Sequence, residues 1–209
     1  MGRLVIVRHG ESVANAKGRM QGQTCSGLSA LGRAQAGAVA RWLAEELTAP
    51  IELMVSDLER ARQTARMIGD VLGCEVNATD ERLRERSCGR WENRTYDDIA
   101  ASDPELWSSW RAGDDVLAAV GGEGDEALTA RATTVLRDLM GRAESGVDVV
   151  AVTHGGLCWF GVHALLGLPL GTLRRPQNAA LAMLSPRDGR VRLDSWNARG
   201  HLVGVTLGP

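Results

Sequence analysis

The chain has 209 residues, 44% of them hydrophobic and 24% charged, with a formal net charge of −2. That length suits one domain with a proper core and room for an insertion. A charge balance this close to zero gives no reason to expect nucleic acid or a membrane surface as a partner. Lys17 is the only lysine, so the cations are almost all arginines, permanently charged and forked to suit phosphate; their number alone reads as a general preference for arginine. Cys25, Cys74, Cys88 and Cys158 show neither C-x-x-C nor metal-ligand spacing and read as reduced thiols. With no basic-then-apolar leader and no membrane-length apolar run, the expected address is the cytoplasm.

In chain order, Leu4 to Val7 is a short apolar, β-branched run, the pattern of a strand buried on both faces. From Ser29, Leu31, Ala34, Ala38 and Trp42 recur at helical spacing, with Ser29 as N-cap. Ile51 to Val55 reads as a second strand. Leu58, Ala61, Ala65, Ile68 and Leu72 then mark a helix ended by Gly73, and Cys74 to Ala78 a third strand. Asn93 to Gly124 lacks this regularity and reads as an insertion over the sheet, with a short helix at Thr95 to Ala101 and Trp107 and Trp110 beyond it. Leu128 to Leu139 is amphipathic. Val147 to Val152 is a strand, Gly156 to Leu166 a helix, and Ala179 to Leu184 with Arg190 to Trp196 late strands joined by a turn around Pro186-Arg187-Asp188-Gly189. Strands alternating with helices predict a three-layer α/β/α sandwich with a mostly parallel sheet, a single domain with a small cap at about 93–124 over the sheet's C-terminal edge.

Two places share a local pattern. Leu4-Val5-Ile6-Val7 runs into Arg8-His9-Gly10, and Val149-Val150-Ala151-Val152 runs into Thr153-His154-Gly155-Gly156. Each sets a histidine and then glycine at the carboxyl end of a strand, the edge where open α/β sheets bind ligands. A lone histidine is more often structural; two in equivalent positions on one edge argue for function. Glycine lets the backbone approach a ligand closely, and a helix starting near Gly156 offers unpaired N–H groups to an anion.

These residues resemble the histidine phosphatase superfamily, the phosphoglycerate mutase-like family, over nearly the whole chain. Arg8-His9-Gly10-Glu11 with Asn15 matches the first motif, and Gln21-Gly22-Gln23 with Leu28-Ser29-x-x-Gly32-x-x-Gln35-Ala36 the stretch after it. Ser56-Asp57-Leu58-x-Arg60-Ala61-x-x-Thr64-Ala65 is the second; Leu83-x-Glu85 with Gly89-x-Trp91-Glu92 the third; His154-Gly155-Gly156 the fourth. Each alone is weak, but the ordered set is specific. The chain departs from the pattern at Asn93, where glycine is common, and at Gly124, where serine is common before a helical arginine, here Arg131.

The resemblance implies a metal-independent phosphomonoesterase without a cofactor. Its nucleophile would be His9, with Arg8, Arg60 and His154 gripping the phosphoryl group and Glu85 as general acid. Asn15, Gln21, Gly22 and Gly155 would complete substrate binding. Neutral imidazole can attack phosphorus at pH 7 without first losing a proton, and guanidinium groups offset the charge that develops on the equatorial oxygens. Arg60 stands near a helix N-terminus where it can reach the pocket, whereas Arg62 and Arg66 read as solvated surface. If Arg82 to Arg86 is extended, Leu83 and Glu85 share one face and the three arginines the other. Partial burial beside a phosphate dianion would then keep Glu85 protonated; its alternative is simple pairing with a neighbouring arginine.

Mutase-type phosphoryl transfer uses the same set with a longer, more basic insertion, whereas between Arg94 and Arg131 the only cation is Arg111. That favours hydrolysis of a small phosphorylated metabolite. A non-catalytic phosphoryl-binding protein is the remaining alternative. Met20 to Gln23, Arg82 to Glu85, the Trp107–Trp110 stretch and Asn178 to Ala198 are similar to members acting on sugar or glycerate phosphates, which implies such a substrate and a homodimer. Trp107 and Trp110 could stack on a sugar ring or serve as packing. His163 and His201 match no motif.

Overall fold

A computed structural model describes residues 2–48 and 50–205. Its strands are β1 (Leu4–Arg8), β2 (Arg19–Met20), β3 (Ile51–Val55), β4 (Ala78–Thr79), β5 (Arg94–Thr95), β6 (Asp148–Thr153), β7 (Leu181–Arg187) and β8 (Arg190–Ala198). The helices are α1 (Val13–Ala16), α2 (Ala30–Glu46), α3 (Glu59–Leu72), α4 (Tyr96–Ser102), α5 (Pro104–Ala112), α6 (Asp125–Glu144) and α7 (Gly155–Leu166). The central sheet has the order β4-β3-β6-β1-β7-β8, with β7 alone running against its neighbours.

The sheet is buried on both faces because β1 and β6 are apolar on both. Leu4 and Ile6 pack into a cluster with α6 and α7, including Leu136, Leu139 and Val162. Val5 and Val7 point the other way, into a cluster with α2 and α3, including Val39, Leu43 and Ile68. Three layers follow directly from that alternation. The caps form where the sequence puts them: the Ser29 hydroxyl accepts the Gly32 N–H at 2.9 Å, and Gly73 ends α3 at φ +66°. Asp188 and Gly189, both at positive φ, close the β7–β8 hairpin.

Three expectations need correction. The strand at Cys74–Ala78 reduces to Ala78–Thr79, because Asn77 substitutes for the ladder: its side-chain oxygen accepts from Leu53 N–H at 2.7 Å. The alternation over Arg82–Arg86 fails, since Glu81–Leu83 is a 3₁₀ turn and Arg86 goes inside. The stretch after Ala101 is also more regular than its sequence suggests: Pro104 starts α5, which carries Trp107 and Trp110. A third apolar cluster, centred on Trp91, Ile99 and Leu117, holds this segment together.

Both departures from the family pattern have local explanations. Asn93 lies at φ +60°, in the left-handed region where glycine is unstrained and asparagine is the best-tolerated alternative. Gly124 caps α6 without a side-chain bond, and Asp115 instead accepts the Asp125 N–H at 2.7 Å. Asn93→Val is expected to lower stability by about 1–2 kcal/mol and Asn93→Gly to cost much less, read from urea midpoints at constant slope.

Candidate active site

Strand register assembles the site. Arg8 pairs with Thr153 across β1 and β6, and Val55 with Val152 across β3 and β6. The residues that follow, His9, His154 and Ser56, therefore emerge side by side at the carboxyl edge. The imidazole centroids of His9 and His154 are 5.1 Å apart, and both rings are buried. Arg8, His9, Asn15, Gln21, Gly22, Arg60 and Glu85 all line one cavity of about 150 Å³.

The hydrogen bonds fix the tautomer of His9. Nδ1 lies 2.6 Å from the Gly10 carbonyl oxygen, which can only accept, so Nδ1 carries the proton. Nε2 keeps its lone pair, toward which Arg60 Nε donates at 3.1 Å. Burial, with Arg60 and Arg8 nearby, holds the imidazole well below its ordinary pKa, partly countered by the Gly10 bond. The ring is therefore neutral at pH 7.

Burial likewise lowers the His154 pKa, with Arg60, His9 and Arg8 adding to it. Its Nε2 meets the Ser56 hydroxyl at 2.8 Å, and that hydroxyl already accepts the Leu58 N–H at 3.3 Å. Nε2 is also the one acceptor that this hydroxyl meets among the described residues, so its proton goes there, leaving His154 Nδ1 as a donor. That atom and Arg8 Nε are buried with no partner among the described residues, a costly state for polar atoms unless a ligand meets them.

Arg60 is 1% exposed and stitches the 21–24 loop to α3 through the carbonyls of Gly22 (2.8 Å) and Thr24 (3.1 Å). Burial brings its pKa down to about 10, still cationic at neutral pH. Arg62 and Arg66 are exposed, as expected. Glu85 Oε2 accepts the Gly156 N–H at the start of α7, at 3.0 Å, and an added Cβ at Gly156 would stand 2.3 Å from Glu85 Oε1. Only glycine permits that approach. Gly155 packs on the Arg8 guanidinium, where an added Cβ would come within 3.2 Å.

Asn15 Oδ1 accepts from Ser12 N–H and Asn178 Nδ2, leaving its amide hydrogens for the cavity. Gln21 differs: both its amide hydrogens serve Thr24 O and Ser26 Oγ, so its side chain builds the loop. Arg131 clasps Glu123 and the carbonyls of Arg82 and Arg84, fixing the segment that carries Glu85. Trp110 and Tyr96 line the cavity wall, whereas Trp107 is stacked between them and meets the Trp91 edge. His163 bonds the Trp159 carbonyl, and His201 the Ala179 carbonyl.

Sequence reasoning missed several contributors. Ser56 stood in the second motif, but only the register puts it against His154. Asn178, which also donates to the His9 carbonyl at 3.3 Å, and the cavity-lining Arg86 and Arg175 carried no signal of a site role in spacing or periodicity.

A family model described as the histidine phosphatase superfamily (branch 1) matches residues 4–199. A glucosyl-3-phosphoglycerate phosphatase from Mycolicibacterium vanbaalenii is 38% identical, over 98% of each chain. A metal-independent phosphoserine phosphatase from Arabidopsis thaliana is 32% identical, over 97% of this chain and 84% of that one. The structure of a mycobacterial glucosyl-3-phosphoglycerate phosphatase complexed with VO3 superposes with a TM-score of 0.83 at 38% identity, covering 95% of this chain and 100% of the other. With the motifs in order and the fold matched over 95% of its length, the chain belongs to the histidine phosphatase superfamily.

Proposed function

We propose that this histidine phosphatase hydrolyses the monoester of a small phosphorylated metabolite, a sugar or glycerate phosphate, through a phosphohistidine intermediate. One observation carries the reading: a neutral imidazole, its Nε2 lone pair met only by Arg60 Nε among the described residues, lies beside two buried donors without partners, Arg8 Nε and His154 Nδ1. The motif match and the phosphatase relatives support it.

In the first step His9 Nε2 attacks phosphorus, forming a P–N bond as the bond to the leaving oxygen breaks. Glu85 gives its proton to that oxygen, and the substrate alcohol departs. The Gly10 carbonyl, bonded to Nδ1–H, stabilises the positive charge that the ring gains. Arg8, Arg60 and His154 donate to the three equatorial oxygens, where charge concentrates. In the second step water attacks phosphorus, Glu85 takes the water proton, and the P–N bond breaks to return neutral His9 and inorganic phosphate. Residues 93–124 act as a cap within a single domain, with Trp110 and Tyr96 presented to the substrate. Gly155 serves as the close-packed floor under Arg8, while Gln21 and Gly22 shape the loop that Arg60 holds.

Among the described residues no helix is long and apolar enough to cross a membrane. Cytoplasmic residence and a homodimer belong to the same proposal, checked by cell fractionation and light scattering. Hydrolysis of p-nitrophenyl phosphate in excess chelator tests the reaction itself. Activity within about 2-fold of the untreated protein is the expected outcome, since side chains alone supply nucleophile, cations and acid. Loss of activity with chelator would remove the metal-free mechanism; absence of activity throughout would favour phosphoryl binding without catalysis.

A further inference from the structure

The third sequence motif ends on Trp91-Glu92, and the reaction steps above leave Glu92 without a task. Its surroundings supply one. On one side Trp91 is fully buried, its indole N–H donating to Asp103 at 2.8 Å. On the other side the Asn93 N–H donates to the Met20 carbonyl at 2.7 Å, where β2 pairs with β5. Glu92 is thereby held beside the 21–24 loop that Arg60 grips.

Its Oε1 accepts three donors from two loops: the Gln23 N–H at 3.0 Å, the Cys88 N–H at 3.0 Å and the Ser87 hydroxyl at 3.3 Å. The side chain lies so close over Gly22 that an added Cβ there would stand 2.3 Å from the same oxygen. Gln23 turns its own side chain the other way, donating from Nε2 to the Glu85 carbonyl at 3.0 Å. Two lines of contact therefore leave one carboxylate oxygen. The first runs through residues 22–24, whose Gly22 and Thr24 carbonyls hold the Arg60 guanidinium, with Arg60 Nε directed at His9 Nε2. The second runs through Ser87 and Cys88, and through Gln23 itself, to Glu85. A displacement of about 1 Å between reacting groups can cost on the order of 10²-fold in rate.

We propose that Glu92 is a positioning residue for the reaction, which through Gln23 holds Glu85 in register with Arg60 and His9. The inference rests on the phosphatase reading above and adds to it a residue that touches neither phosphate nor leaving group. All three donors fall on Oε1, so the role needs an acceptor at that point and not a charge. An amide at position 92 supplies the same oxygen and can turn its NH2 away.

The test measures kcat/KM for p-nitrophenyl phosphate and for an alkyl ester, whichever of 3-phosphoglycerate and glucose 6-phosphate wild type turns over faster. The readout is the alkyl-to-aryl ratio within each protein, because only the alkyl ester depends strongly on a well-placed acid. Glu92→Ala is expected to lower the ratio by about 10-fold, and Glu92→Gln to restore it to within about 2-fold of wild type. Gln23→Ala keeps the Glu92 carboxylate and both loop N–H groups, and is expected to lower the ratio by about 3-fold. In a Glu85→Gln background, Glu92→Ala is expected to change the ratio by under about 2-fold, since two changes that act through one group do not add. A loose or partly unfolded variant lowers both rates alike and leaves their quotient. Equal losses on both esters in Glu92→Ala, or in Gln23→Ala where Glu92→Ala does not fold, would overturn the proposal. So would a ratio as low in Glu92→Gln as in Glu92→Ala, or a further fall of the ratio in the Glu85→Gln background. Hydrolysis of p-nitrophenyl phosphate by wild type keeps that failure separate from failure of the phosphatase reading.

Discussion

Replacing His9 with alanine is expected to abolish turnover, a loss on the order of 10⁵-fold, and to abolish phosphoryl labelling of the protein by 32P-labelled substrate. Wild-type protein quenched during turnover should carry label that acid releases and base preserves, the behaviour of a phosphorus–nitrogen bond. The size of the loss follows from what the site leaves behind. With the ring gone, Arg8 Nε and His154 Nδ1 can still bind phosphate, so binding of inorganic phosphate should persist while chemistry stops. His154 is a poor substitute nucleophile because its Nε2 is engaged by Ser56 and its Nδ1 holds a proton. Cys158 is no better placed: it is 2% exposed and burial raises its pKa, keeping it a thiol. Label on serine or cysteine, or turnover surviving in His9→Ala, would dismantle the assignment.

The parts of this molecule that were legible in its sequence are those fixed by local pattern. Leu4–Val7 and Val149–Val152 are apolar on both faces, which places them in a covered parallel sheet and puts His9 and His154 at one edge. Glycine after each strand was readable as a point of close approach, but what approaches is distant in the chain: Gly32 at Gly10, Arg8 at Gly155 and Glu85 at Gly156. What stayed hidden depends on contacts distant in the chain. Ser56 sets the His154 tautomer only because β3 and β6 pair in that register. Arg86 looked like one of three alternating surface arginines, but a 3₁₀ turn shifts the phase and sends it over the Phe160 ring at 5.4 Å. The α5 helix was obscured because its nine residues bury none fully, so no apolar stripe marks it. Arg175 lies between elements, where no periodicity applies, so nothing in its spacing marked it as lining the cavity. Gln21 was expected to complete substrate binding, but its amide hydrogens go to Thr24 O and Ser26 Oγ, contacts that no spacing marks.

Glu85→Gln separates chemistry from architecture at the one carboxylate that lines the cavity among the described residues. The wild-type side chain accepts two N–H groups, from Arg86 at 2.9 Å and Gly156 at 3.0 Å. It thus caps α7 in addition to the acid role proposed for it, and an amide can replace only one of those acceptors. Some loss of stability is therefore built into the substitution, and a lower rate on its own proves little. The leaving group supplies the control. An alkyl alkoxide needs a proton as its bond to phosphorus breaks, and general acid help of that kind is worth about 10²–10⁴-fold. Nitrophenolate departs as a stable anion and needs far less help. The expected result is a fall of about 10³-fold in kcat/KM for an alkyl phosphate and of under about 10-fold for p-nitrophenyl phosphate. Distortion of the α7 terminus moves the phosphoryl oxygens of both esters alike, so it lowers the two rates by the same factor. Equal losses would therefore confine Glu85 to holding the helix end, and the proton for the departing alcohol would have to come from another group.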